Sequence, residues 1–165
     1  DEVTEAVAAN LQAQVPMVLV MPAPGAWLAE AQQMVDRPPE VDDDAVEDAA
    51  MYMADFLRCV AARPVGGLLL EEGVSPGPAS RYSPILNAAK HYRWAVVGRN
   101  VAPESAAVFD ATIGTDASAQ GRDVSLDLFG QGTLPAIGSG QFAFAEIPVG
   151  HAPEAVLDAI AQLRG

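Results

Sequence analysis

Two kinds of apolar run alternate along this chain, and their alternation predicts the fold. Val3, Val7 and Leu11 recur every four positions and Pro16 follows, which predicts a helix over 1–14. The continuous run MVLVM at 17–21 suits a strand buried on both faces. A Pro-Ala-Pro-Gly turn separates it from a short helix over 27–35. The clearest element comes next: Val46, Ala49, Ala50, Met53, Phe56, Leu57 and Val60 form one stripe at helical spacing. Asp42, Asp43 and Asp44 precede it as a cap, because acidic side chains accept orphan N–H bonds and complement the helix dipole. Cys59, beside that stripe, reads as a buried and inert thiol.

The same alternation continues. VGGLLL at 65–70 predicts a second buried strand that ends in Glu71 and Glu72. A Gly/Pro loop follows, then a helix over 82–92 with Pro84 in its first turn, where a missing N–H costs little. WAVV at 94–97 predicts a third strand, 103–108 a short helix, and 110–114 a fourth strand. Beyond Thr115 the pattern weakens. Val124, Leu126 and Leu128 alternate with polar residues as in a half-exposed strand, and 134–137 and 142–147 are further strand candidates. Val156, Ala159, Ile160 and Leu163 share one face of a closing helix. No repeat and no domain boundary is visible, so one domain over 1–165 is expected. Strands alternating with helices predict α/β architecture with a mainly parallel sheet.

Composition narrows the function classes. The chain carries 22 Asp and Glu against 9 Lys and Arg, a formal charge of −13. Such a surface repels phosphate backbones and anionic lipid, which argues against nucleic-acid and membrane partners. A single cysteine excludes an internal disulfide and a multi-cysteine zinc site. No apolar run approaches the ~20 residues that span a bilayer, so a cytoplasmic location is expected. Asp1 in place of Met points to processing or to a longer parent chain.

Parallel α/β folds bind ligands at the carboxyl ends of their strands. Glu71 and Glu72 follow the second strand, Arg99 and Asn100 the third, Asp116 the fourth, and His151 the last. A guanidinium there suits a carboxylate substrate, and a glutamate or His151 suits proton transfer. Adjacent residues in extended chain point to opposite sides, so at most one of Glu71 and Glu72 faces a pocket. The bland alternative is a set of solvated loop residues. Nucleophile-elbow, phosphate-loop and HExxH motifs are absent. The chain's one lysine, Lys90, falls in a helix, which disfavours Schiff-base chemistry. No cofactor is indicated.

Three stretches taken in order resemble the uroporphyrinogen decarboxylase family, whose wider group includes cobalamin-dependent methyltransferases. They are PMVLVMPAPGAWLAEA (16–31), MADFLRCVAARPVGGLLLEEGVSPGPASRYSPIL (53–86) and EIPVGHAPEAVLDAIAQL (146–163). The resemblance implies a (βα) barrel of which this chain is the later portion, since a complete barrel takes ~250 residues. It implies a decarboxylase or methyltransferase-like enzyme portion acting on a carboxylated or methylated small molecule, with Glu71 or Glu72 and His151 as carried-over site residues. The zinc-binding His-x-Cys of the methyltransferase branch is replaced by Gly98, Arg99 and Asn100, so no metal is implied. A partial barrel exposes a sheet edge, which calls for a homo-oligomer or for an N-terminal portion outside this sequence. Two other readings stay open: a non-catalytic ligand-binding or regulatory subunit, and a doubly wound α/β domain of unrelated function.

Overall fold

The computed structural model describes residues 2–11, 16–36, 38, 41–73, 78–115, 118–131 and 134–163. The chain divides into two compact units, Asp1–Asp110 and Ala111–Gly165. Both are α/β with parallel strands.

The first unit opens with α1 (Glu2–Leu11), β1 (Met17–Pro22) and α2 (Pro24–Met34). It continues with α3 (Asp43–Val60), β2 (Val65–Glu71), α4 (Ser83–Tyr92) and β3 (Ala95–Arg99). Short 3-10 segments cover Ala79–Tyr82 and Pro103–Val108. β1 pairs with β2 and β2 with β3, all parallel, so spatial order follows chain order. That consecutive order is the layout on which (βα) barrels are built; a doubly wound sheet reverses direction.

Local chemistry sets the ends of these elements. Asp42 caps α3, its Oδ1 accepting the Ala45 N–H at 2.7 Å. Pro84 sits in the first turn of α4, and Arg93 closes that helix in the left-handed conformation at φ 60°. Val46, Ala50, Met53 and Leu57 of α3 pack with Ile85 and Ala89 of α4 against Leu68 and Leu70 of β2. Glycine is required at Gly98, where a Cβ would collide with Val101 Cγ2 and stand 3.1 Å from the Phe109 ring.

Burial corrects three expectations. β1 is not covered on both faces: Leu19 and Met21 join the core, while Val18 and Val20 are half-exposed. An apolar run announces that both faces tolerate burial; whether both are covered depends on what packs there. Phe56 stands 50% exposed, and Ala54 is buried in its place on α3. Cys59 is exposed, because it lies about 200° around the helix from the buried Leu57.

The second unit holds β4 (Ala111–Gly114), β5 (Gly121–Asp123), β6 (Phe142–Phe144) and α5 (Pro153–Leu163). β5 pairs in parallel with both β4 and β6. The strand expected through Val124, Leu126 and Leu128 is instead a helical turn, with a wide turn over Asp127–Gln131. Val124 and Leu128 are buried and Leu126 is 83% exposed. The Leu128 N–H donates to the Val124 carbonyl four residues back, so the spacing that counted was four, not two. The candidate at 134–137 forms no regular strand, and the one at 142–147 shortens to β6. Among the described residues no helix is long and apolar enough to cross a membrane.

Candidate functional site

The carboxyl ends of β1, β2 and β3 are tied together by their own backbone. The Ala23 N–H donates to the Glu71 carbonyl at 2.7 Å, and the Glu72 N–H to the Arg99 carbonyl at 3.0 Å. This register sets Glu71 directly across from Arg99. Their side chains meet, Arg99 Nη1 lying 2.6 Å from Glu71 Oε1. The guanidinium is the more buried partner, 15% exposed against 37% for the glutamate. A charge-assisted contact of this kind outweighs a neutral hydrogen bond, although exposure of Glu71 weakens it by screening.

Glu72 turns the other way, as alternation requires, and is buried. Both of its carboxylate oxygens accept from the Tyr82 hydroxyl, at 2.8 and 3.1 Å. Tyr82 is fully buried on the turn that precedes α4, so the contact spans the loop between β2 and that helix. Burial first, and then the negative charge of Glu72, push the Tyr82 phenol well above its ordinary value of 10.0. The hydroxyl is therefore a permanent donor at physiological pH, and not a base.

Four of the residues singled out from sequence come together here: Glu71, Glu72, Arg99 and Asn100. Asn100 is exposed and holds a left-handed backbone at φ 58°, a conformation that asparagine tolerates better than most residues. His151 belongs to the second unit. It is exposed just ahead of α5, its ring edge-on to Phe129 at 5.3 Å between centroids. Asp116 lies outside the described residues. Among the described residues no group of three His, Cys, Asp or Glu side chains is arranged to hold a metal ion.

Tyr82 was not foreseen. Its sequence signal is weak: a carboxylate directly after a buried strand needs a donor, but nothing in a one-dimensional pattern points ten residues ahead. Two concavities of the first unit lie away from this rim. One, of about 630 Å³, runs between α3 and α4 past Asp55, Arg58 and His91. The other, of about 590 Å³, opens at the amino end of β3.

Comparison with protein-family models, with curated proteins and with solved structures finds no match to this chain. The chemistry of the rim therefore carries the functional argument.

Proposed function

We propose that the chain is an enzyme portion of the uroporphyrinogen-decarboxylase kind, acting on a carboxylated small molecule at the carboxyl rim of β1, β2 and β3. The observation that carries this reading is the Glu71–Arg99 contact. A side-chain carboxylate already sits on the guanidinium in the position that a substrate carboxylate would take. Glu71 is the more exposed partner, so it can turn toward solvent and release Arg99 to an incoming acid. Glu72 points away from this pair and is held by the Tyr82 hydroxyl, so it supports the rim from the core side. In this reading Glu71, once released from Arg99, is the proton-handling group, because loss of a carboxyl as carbon dioxide leaves a carbanion that must take up a proton.

The test is anaerobic incubation with uroporphyrinogen, scored for carbon dioxide release and for binding. Release by the native chain is expected. Glu71→Gln should abolish release while leaving binding in place, and Arg99→Gln should weaken binding. His151→Ala, assayed in parallel, reports whether the imidazole carries a second proton transfer. A native chain that shows no binding and no release would sink the proposal.

A non-catalytic binding subunit is the second reading, and the same contact favours it. Arg99 is already engaged, which suits a site that holds a ligand by exchange and does no chemistry on it. Saturable binding with no release identifies this case.

A further inference from the structure

Among the described residues, most basic side chains of this acidic protein have a partner. Arg58 contacts Asp55, Arg63 contacts Glu5, Arg81 contacts Asp43 and Glu47, and Arg99 contacts Glu71. Arg122 donates to the Ala136 carbonyl at 3.1 Å. Lys90 and Arg93 are different. Both are exposed, and among the described residues no carboxylate lies within ion-pair distance of either. Both line the same cleft, the one of about 590 Å³ at the amino end of β3. Among the described residues, then, two cations share one cleft without an acidic partner in a chain that carries 22 acidic residues.

The rest of the lining adds apolar surface beside these two cations. Trp94, buried against Tyr92 with 5.3 Å between ring centroids, lines the cleft together with Leu86 and Val108. The volume falls within the roughly 300–1,000 Å³ of small-molecule sites. Asp110 is the one acidic group in the lining, and its Oδ2 is committed to the Val96 N–H at 2.8 Å. Within the cleft the local balance favours an anion, although both cations also complement the carboxyl end of α4. Arg93 is fixed by its place at the end of that helix, where its N–H donates to the Lys90 carbonyl at 3.2 Å.

We propose that this cleft binds a phosphate monoester with a small apolar body, the dianion held by Lys90 and Arg93 and the body laid against Trp94, Leu86 and Val108. The site lies at the end of β3 opposite Arg99, so it is separate from the rim discussed above and does not depend on the function assigned there.

Phenyl phosphate is the probe, titrated into the full chain at constant ionic strength and followed by amide and indole N–H NMR shifts. Saturable shifts are expected at Arg93–Val96 and at the Trp94 indole. The double variant Lys90→Gln/Arg93→Gln changes only exposed side chains and should keep the native spectrum, while affinity falls by roughly tenfold or more. Inorganic phosphate should bind more weakly, because it has nothing to set against Trp94. The absence of saturable shifts, or unchanged affinity in a natively folded double variant, would overturn the proposal. Equal affinity for inorganic phosphate and phenyl phosphate would overturn the claim for an organic ester.

Discussion

The two units of this chain are specified in different ways. In the first, long periodic segments dominate: α3 runs for 18 residues, and β1, β2 and β3 have six, seven and five. In the second, β4, β5 and β6 have four, three and three residues, too few to present much of a face. Polar side chains take over the task there. Gln120 Oε1 accepts from both the N–H and the hydroxyl of Thr112 at 2.9 Å. Gln141 accepts the Gly138 N–H at 3.0 Å and donates to the Ala119 carbonyl at 2.8 Å. The Ser125 hydroxyl donates to Asp123 Oδ1 at 2.6 Å and accepts the Glu146 N–H at 2.8 Å. Hydrophobic periodicity builds the first unit, and side chain-to-backbone hydrogen bonds pin the second.

The largest test of this contrast removes apolar volume from each unit. Leu57 is fully buried, and Leu57→Ala should cost about 2–5 kcal/mol in urea unfolding. Leu157 of α5 is 66% exposed, and Leu157→Ala should stay within about 0.5 kcal/mol. Similar losses at both positions would break the contrast.

Close packing gives the next effect. At Gly98 an added methyl meets Val101 and Phe109 within a packed core, so Gly98→Ala should destabilise by about 1–3 kcal/mol. At Gly121 the methyl meets the Phe142 ring at 2.6 Å and Ile113 Cγ1 at 2.7 Å. Phe142 is 42% exposed and can swing aside, but Ile113 is buried, so Gly121→Ala should also cost about 1–3 kcal/mol in the same measurement.

Tyr82→Phe removes one donor from Glu72 and should cost about 1–2 kcal/mol near neutral pH. The hydroxyl also ties stability to pH. The folded chain keeps Tyr82 protonated at pH values where the unfolded chain ionises it, since its phenol is raised above 10.0 in the fold. This contribution is whole below about pH 10 and is lost as pH rises further. The Phe variant should lack that part of the alkaline decline in urea midpoint.

The smallest effect sharpens the view of the second unit. Gln141→Ala deletes two hydrogen bonds to backbone, one of them exposed and the other part-buried, so water replaces much of both and the total loss should be about 0.5–1 kcal/mol. Faster amide hydrogen exchange at Gly138 should report the loss. Unchanged exchange would show that the turn is held by something other than this side chain.

Legibility in the sequence follows the same division. The Asp42 cap, the Pro84 start of α4 and the strands at 17–21, 65–70 and 94–97 were readable because capping, proline and apolar runs act over a few residues. Between Val124 and Leu128 two periodicities fit equally well, and only the bond from Leu128 to Val124 decides between them. At the rim, the alternation of Glu71 and Glu72 was readable from strand geometry alone. The identity of their partners was not, because Arg99 and Tyr82 reach them through sheet register and through the turn before α4.

Composition and spacing by themselves determined that this chain forms alternating helices and parallel strands, and that acidic and basic residues follow the ends of those strands. These are short-range consequences of backbone chemistry. The tertiary structure alone decided which apolar faces are covered, leaving Val18, Val20 and Phe56 half in water. It also decided that Arg99 meets Glu71, that Tyr82 donates to Glu72, and that Lys90 and Arg93 line one cleft with no acidic partner among the described residues. Each of those outcomes depends on which distant segments pack together, and no local pattern along the chain encodes that.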